Sequence, residues 1–431
     1  MSSPHTLIDW LYTGDIGPEK QGALVLFPRM VDRWNVASTI VAGWEKHKVF
    51  IITDHPNEFM STLDVPHKVW TDEELIPFPL IKYSNLSDIN AALRNTEIDI
   101  ILFDDTRMLS IISTALDFTN LAAKVIVLSS WGDTRSQLDT VTLKLPGLRL
   151  LKLSLINDTS TLVWSVAQAQ MSARQTNLYN MVRQRELSTP NKILYPQTRR
   201  VTLYAYPNEI VSETLIIKPI CEVEDESSNE NWLQPRFLDT LEEDGAKLAS
   251  VLDSITATWP AKQVVFTRFN HRYGVDLIFG FIQLMIKEGK IQYNMDEVFH
   301  VSCTDEHETT LNAFHKFNDA DSALLITNIV PHIPLKGVSV IQVCDSYSFM
   351  TLKMLIDRCH KRYLGKTSSN LMIYSHIATH PSEVSADVAL HNTLRAEVVG
   401  ANKLYDSLIA QAGWIAFDSN AGLVVHEPGI R

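Results

Sequence analysis

Short runs of apolar and β-branched residues recur along the chain, with helical patterns between them. The first series lies at residues 23–27, 48–53, 98–103, 124–128 and 148–153, and the stretches 30–47 and 108–122 carry apolar residues at helical spacing. A helix between two strands is what a parallel crossover requires, so the series predicts a parallel sheet flanked by helices, ending near residue 155. The texture then changes. Residues 171–186 read as a helix, 201–206 as a short strand, and 222–231 (EVEDESSNEN) as an acidic, solvated loop with almost no apolar anchor. A second α/β series follows at 263–267, 298–302, 323–327, 339–343 and 371–374, with a helix expected at 276–287. The expected fold is α/β: a first parallel-sheet lobe over 1–155, an inter-lobe linker or insertion over 156–261, and a second lobe with closing helices over 262–431.

Composition supports this. With 431 residues, 45% hydrophobic and 20% charged, the chain is long enough for two or three substantial cores. No apolar run approaches the ~20 residues that span a bilayer. The start MSSPHTLIDW lacks the basic, apolar and small-residue order of a signal peptide, so the expectation is an intracellular protein with no membrane partner. Cys221, Cys303, Cys344 and Cys359 are too scattered for a disulfide framework, which fits reduced thiols. A net charge of -12 argues against a broadly basic surface, so any contact with DNA or RNA needs a local patch. Arg183, Arg185, Arg199, Arg200, Arg268, His271 and Arg272 gather in the linker and at the opening of the second lobe; Arg199, Arg200, Arg268 and Arg272 are the candidate phosphate contacts.

Particular segments carry a resemblance. In the first lobe they are ALVLFPRMVDRW (23–34), IDIILFDDTRML (98–109) and VIVLSSWGDT (125–134). MSARQTNLYNMVRQRE (171–186) with TRRVTLYAYP (198–207) follows, then LQPRFLDTLEEDGAKLASVLDSI (233–255) leading into KQVVFTRFNHRYGVDLI (262–278). ETTLNAFHKFNDADSALLIT (308–327) and SADVALHNTLRAEVVGANKLYDSLIAQAGW (385–414) complete the order. The series resembles superfamily 2 helicases of the Swi/Snf type, and among them the poxvirus-like DNA-dependent ATPases and early transcription factor helicases of nucleocytoplasmic large DNA viruses. The resemblance implies two tandem RecA-like lobes, ATP and magnesium as cofactors, DNA as a partner, and a place among viral transcription or virion proteins in the host cytoplasm or the virion.

The chemistry of that family needs residues that this chain largely lacks. A phosphate cradle combines glycine amides, a Lys and a following Ser or Thr. The one candidate is GDIGPEK (14–20), in which Lys20 is followed by Gln21, Pro18 removes an amide, and only Gln21 and Gly22 precede the next strand. At the Asp-Glu box, Asp104 stands where magnesium would bind, and Asp105 replaces the water-positioning Glu. The same pair also reads as acids ahead of helix 108–122, favoured by its dipole. In the second lobe HIPLKG (332–337) replaces a Gly-x-Asp-Leu turn. MLIDRCHKR (354–362) keeps Arg358, while Met354, Asp357 and Lys361 stand for the family's Gln, Gly and finger Arg. Arg362 is one residue out of register, about a quarter turn of helix away.

Other constellations are sparse. His300, Cys303 and His307 lack a fourth metal ligand, and Ser129-Ser130 lacks a nucleophile elbow. Three readings follow. The first is a noncatalytic helicase-like platform that uses no cofactor; the second is a DNA-dependent ATPase or helicase whose phosphate site is non-standard or supplied by a partner, with ATP and magnesium. The third is a binding protein unrelated to helicases, with Asp104 and Asp105 as a metal site.

Overall fold

The computed structural model describes residues 5–6, 22–26, 49–53, 81–82, 100–103, 106, 124–129, 135–145, 148–154, 162–188, 196–205, 235–270, 273–331, 333–346, 348–359, 370–411, 413–418 and 422–426. The chain divides into two compact units. One comprises Met1–Thr159, Lys361–Ser368 and Val398–Arg431; the other comprises Ser160–His360 and Ser369–Glu397.

In the first unit the described strands are β1 (His5–Thr6), β2 (Gly22–Leu26), β3 (Val49–Thr53), β4 (Ile81–Lys82), β5 (Ile100–Phe103), β6 (Lys124–Ser129) and β7 (Leu148–Ser154), with helix α1 (Arg135–Lys144) before the last. β2, β5 and β6 are apolar without alternation and buried, as strands of a parallel sheet covered on both faces must be. Gly22 pairs with Val125 in a close strand approach; a Cβ there would lie 1.6 Å from the Val125 carbonyl oxygen.

The second unit opens with β8 (Leu162–Gln170), α2 (Ala173–Ser188), α3 (Pro196–Leu203), α4 (Arg236–Asp239), α5 (Leu241–Asp244) and α6 (Ala246–Ala257). It continues with β9 (Gln263–Phe266), α7 (Val275–Lys287), β10 (Val298–Val301), α8 (His307–Asp319), β11 (Leu324–Thr327), β12 (Val340–Val343), α9 (Phe349–Cys359) and β13 (Leu371–Thr379). Then come α10 (Ala386–Gln411) and, belonging to the first unit, two last strands, β14 (Gly413–Asp418) and β15 (Gly422–His426). The second sheet has the order β10-β11-β9-β12-β13-β8, parallel throughout. The first has the order β1-β15-β14-β7-β2-β6-β5-β3-β4, parallel from β14 to β4, with β15 antiparallel to β14 and β1 antiparallel to β15. The architecture is therefore α/β with two largely parallel sheets.

The core of the second unit shows why these elements form. Leu248, Val251, Leu252 and Ile255 recur at helical spacing on α6, and Ile278, Phe281 and Ile282 on α7; all pack with Val265 and Ile326 of the sheet. Burial of each such side chain contributes roughly 1.5–3 kcal/mol.

Three expectations need correction. The inter-lobe linker or insertion expected over 156–261 is, in its described parts, integral to the second unit: β8 is an edge strand of the second sheet, and α6 supplies an apolar stripe to that unit's core. The strand expected at 201–206 is not found over its described residues 201–205, because α3 runs over Pro196–Leu203 despite the β-branched Val201-Thr202 pair. Proline is pre-organised for a first helical turn, and the Glu186 carboxylate accepts from the Gln197 N–H at 2.6 Å, the Thr198 N–H at 3.0 Å and the Thr198 hydroxyl. The second lobe does not run unbroken to 431, since β14 and β15 return to the first sheet. Their sequence, two apolar runs around Asp-Ser-Asn-Ala-Gly, carries a hairpin signal that the helical reading overlooked. The helices expected at 30–47 and 108–122 lie outside the described residues.

Removing the Glu186 cap leaves the first amides of α3 without their anionic acceptor. Glu186→Ala is expected to lower stability by about 1–2 kcal/mol in urea unfolding, against the few tenths expected at an uninvolved surface position.

Candidate functional site

The second sheet changes direction at β9. From β9 the chain passes to β10 and back to β11 on one side, then crosses to β12 on the other. The carboxyl end of β9 is thus the topological switch point, the place where open α/β sheets take ligands. The residues gathered there are mostly charged or polar, and they are buried.

Arg199 reaches from α3 to Asp345, which follows β12. Its Nε donates to Asp345 Oδ1 at 3.0 Å, its Nη2 pairs with Oδ2, and the two side chains are 3% and 4% exposed. The guanidinium also lies over the Phe269 ring, 5.3 Å from its centroid. The chain's own arginine therefore fills the switch-point side of β9.

A second buried pair lies beside it. Lys247 Nζ on α6 donates to Asp387 Oδ2 at 2.6 Å, and this oxygen also accepts from the Ala378 N–H at 3.0 Å. The Thr202 hydroxyl is 2.9 Å from Asp387 Oδ1 and 2.6 Å from the Arg199 carbonyl, and shares one hydrogen between them. Asp387 stands in the first turn of α10, where the dipole favours an anion. Hydrogen bonds from Ala386 N to the Tyr179 hydroxyl (2.8 Å) and from Ser385 Oγ to the Ala378 carbonyl hold the start of that helix.

A polar relay crosses the sheet beneath α6. His376 Nε2 meets Gln342 Oε1 at 2.8 Å and its Nδ1 meets Ser250 Oγ at 3.1 Å. Gln342 Nε2 donates to Gln263 Oε1 at 3.2 Å, and Gln263 Nε2 donates to Tyr293 Oη at 3.0 Å. Burial, with the Lys247 charge behind it, lowers the His376 pKa to about 3, so the ring is neutral, donating from Nε2 and accepting at Nδ1. Burial raises the Tyr293 hydroxyl to about 12 and the Cys344 thiol to about 12, so neither is a poised nucleophile. A small pocket of about 30 Å³, lined by Lys247, Asp345, Ser375, His376, Asp387 and His391 among others, has room for a water.

Of the residues singled out from the sequence, the structure brings Arg199 and Arg200 together over the Phe269 ring, next in the chain to Arg268. Arg199, a candidate nucleic-acid contact in the sequence, is 3% exposed in its pair with Asp345. Arg200 is half-buried, lying over the rings of Phe269 (5.5 Å) and Tyr273 (5.7 Å) and donating to Gln197 Oε1 at 3.0 Å; burial pulls its pKa below the ordinary arginine value. Arg268 is half-buried just past β9. Arg358 is 7% exposed on α9, and its carbonyl accepts from the Leu335 N–H at 2.9 Å. His300 stacks on Phe279 at 4.2 Å, and Cys303 Sγ accepts from Asn328 Nδ2 at 3.5 Å. Lys20, Asp104, Asp105 and Arg272 lie outside the described residues.

The sequence reading missed Lys247, Asp345, His376 and Asp387. One signal was available: Lys247 falls on the apolar stripe of α6, where a charge requires a buried partner.

Two outcomes test the network. Asp387→Leu leaves Lys247 uncompensated and is expected to cost about 3–5 kcal/mol, whereas the double variant with Lys247→Met recovers most of that loss in urea unfolding. For His376, the unfolded ring binds a proton near pH 6.5 and the folded ring only near pH 3, so its contribution is full above 6.5 and falls as pH drops. The expected slope is about 1.4 kcal/mol per pH unit at most, and His376→Gln should flatten stability against pH between 6.5 and 4.

No family model matches the chain, and neither does any curated protein sequence. Among solved structures the chain is similar to the crystal structure of the Pyrococcus furiosus Hef helicase domain, at 11% identity over 91% of this chain and 98% of that one, with a TM-score of 0.49. It is also similar to the C-terminal part of the Fun30 ATPase domain, at 11% identity over 58% of this chain and 99% of that one, with a TM-score of 0.34. At these identities and scores the likenesses say nothing of nucleotide or nucleic acid.

Proposed function

We propose that the chain is a helicase-like scaffold without nucleotide chemistry, acting as a platform for nucleic acid or for a protein complex. The observation that carries this reading is the Arg199–Asp345 pair. It fills, with the chain's own charges, the switch-point side of β9 where a parallel sheet of this order would receive a ligand.

Other contacts support it. Arg358, the arginine that the family resemblance carries into the second unit, is buried on α9. The segment standing in for the Gly-x-Asp-Leu turn is tied on two sides. Asn318 Nδ2 donates to the Pro334 carbonyl at 2.9 Å and Asn318 Oδ1 accepts from the Lys336 N–H at 2.8 Å, while Leu335 bonds the Arg358 carbonyl. Such ties favour a fixed element over a moving one. Arg200 and Arg268, both half-buried, are the remaining described candidates for phosphate contact. The assignment to a viral transcription, DNA-processing or virion complex rests on the sequence resemblance alone.

Calorimetric titration of the full chain with magnesium-ATP, with and without DNA, tests the reading. The expected result is no saturable binding and no DNA-stimulated hydrolysis. Saturable binding with hydrolysis that disappears in Asp104→Ala overturns it in favour of an active ATPase.

A further inference from the structure

The strand β8 pairs with β13 along all nine of its residues, and no strand among the described residues pairs with its outer edge. Its sequence, LVWSVAQAQ, contains no charge, no proline and no glycine. Trp164 Nε1 donates to Ser375 Oγ at 2.8 Å and fixes the register against β13. Val163 and Val166 are 46% and 41% exposed, although both are β-branched residues in a sheet. An open row of amide and carbonyl groups is a template for another strand, and proteins ordinarily blunt such an edge with Lys, Pro or a bulge. None of these devices is present over Leu162–Gln170.

We propose that the outer edge of β8 pairs antiparallel with β8 of a second copy of this chain, about a two-fold axis at Val166, joining two six-stranded sheets into one. The strand is self-complementary in that register. Val166, at its centre, meets its own copy; Trp164 meets Gln168, and Leu162 meets Gln170. Every facing pair is neutral, so no like charges oppose each other. The chain's net charge of -12 makes contact between charged surfaces of two copies repulsive, and an uncharged strip avoids that repulsion. An isologous contact of this kind closes at a dimer and leaves no free β8 edge for further growth.

Sedimentation of the full chain over a range of concentrations tests the proposal. The parent is expected to be a concentration-dependent dimer. Val166→Lys and Val166→Glu should each sediment as monomers, because like charges then face one another on the axis, and an equimolar mixture of the two should dimerise again. Met295→Lys, at a 42% exposed position before β10 on the opposite edge of the sheet, should leave the dimer intact. Val166→Cys in a Cys221→Ser, Cys303→Ser background should be joined copy to copy by a short bismaleimide, a readout that needs no charged variant to fold. A parent that stays monomeric, a dimer indifferent to Val166→Lys, growth beyond the dimer, or failure of both the mixture and the cross-link overturns it.

Discussion

The carboxylate of Asp387 is the point at which the second unit is tied together. It receives the Lys247 ammonium from α6, the Thr202 hydroxyl from α3 and the Ala378 amide from β13, while belonging itself to the first turn of α10. Four elements, α3, α6, β13 and α10, therefore meet at one buried charge. Away from water such a carboxylate is tolerable only if its acceptor sites are filled and a cation stands beside it. The sheet end, both packed helices and the start of α10 must be in place together for that to hold. Net stability gained over an apolar replacement is small, but the loss when one partner is removed is large. The pair acts less as an adhesive than as a condition on the fold.

The same logic governs the switch point. A parallel sheet with this strand order presents a crevice at the carboxyl end of β9, and in a nucleotide-binding protein the charges around it stay available to phosphate and metal. Here Arg199 and Asp345 neutralise each other beneath α3, and His376 is held neutral between Ser250 and Gln342. Charge that could serve chemistry is spent on internal pairing, which connects the missing sequence motifs to a physical arrangement.

The central strands of the two sheets were legible because parallel strands buried on both faces read as unbroken apolar runs, as QVVF at β9 and LLIT at β11 do. α7 was legible from its apolar periodicity. α3 was not, because Val201 and Thr202 carry strand propensity and the helix is set by Pro196 and by the distant carboxylate of Glu186. β8 was hidden by its polar half, AQAQ, which suits an edge strand and lacks a buried strand's run of apolar residues. The polar site was the least legible part: Lys247 lies 140 residues from Asp387, and Arg199 lies 146 from Asp345. Partners at such distances have no shared local pattern. Only the misplaced charge on the apolar stripe of α6 announced that a partner existed.

The central claim is that these buried charges hold the second unit together and do not open to a nucleotide. The exchange rate of the Ala378 amide hydrogen, which Asp387 accepts, tests it most directly. The account predicts that this hydrogen exchanges only with global unfolding of the unit, and that its protection is unchanged by magnesium-ATP and DNA. Rapid exchange under native conditions, or protection that shifts when nucleotide is added, would contradict it.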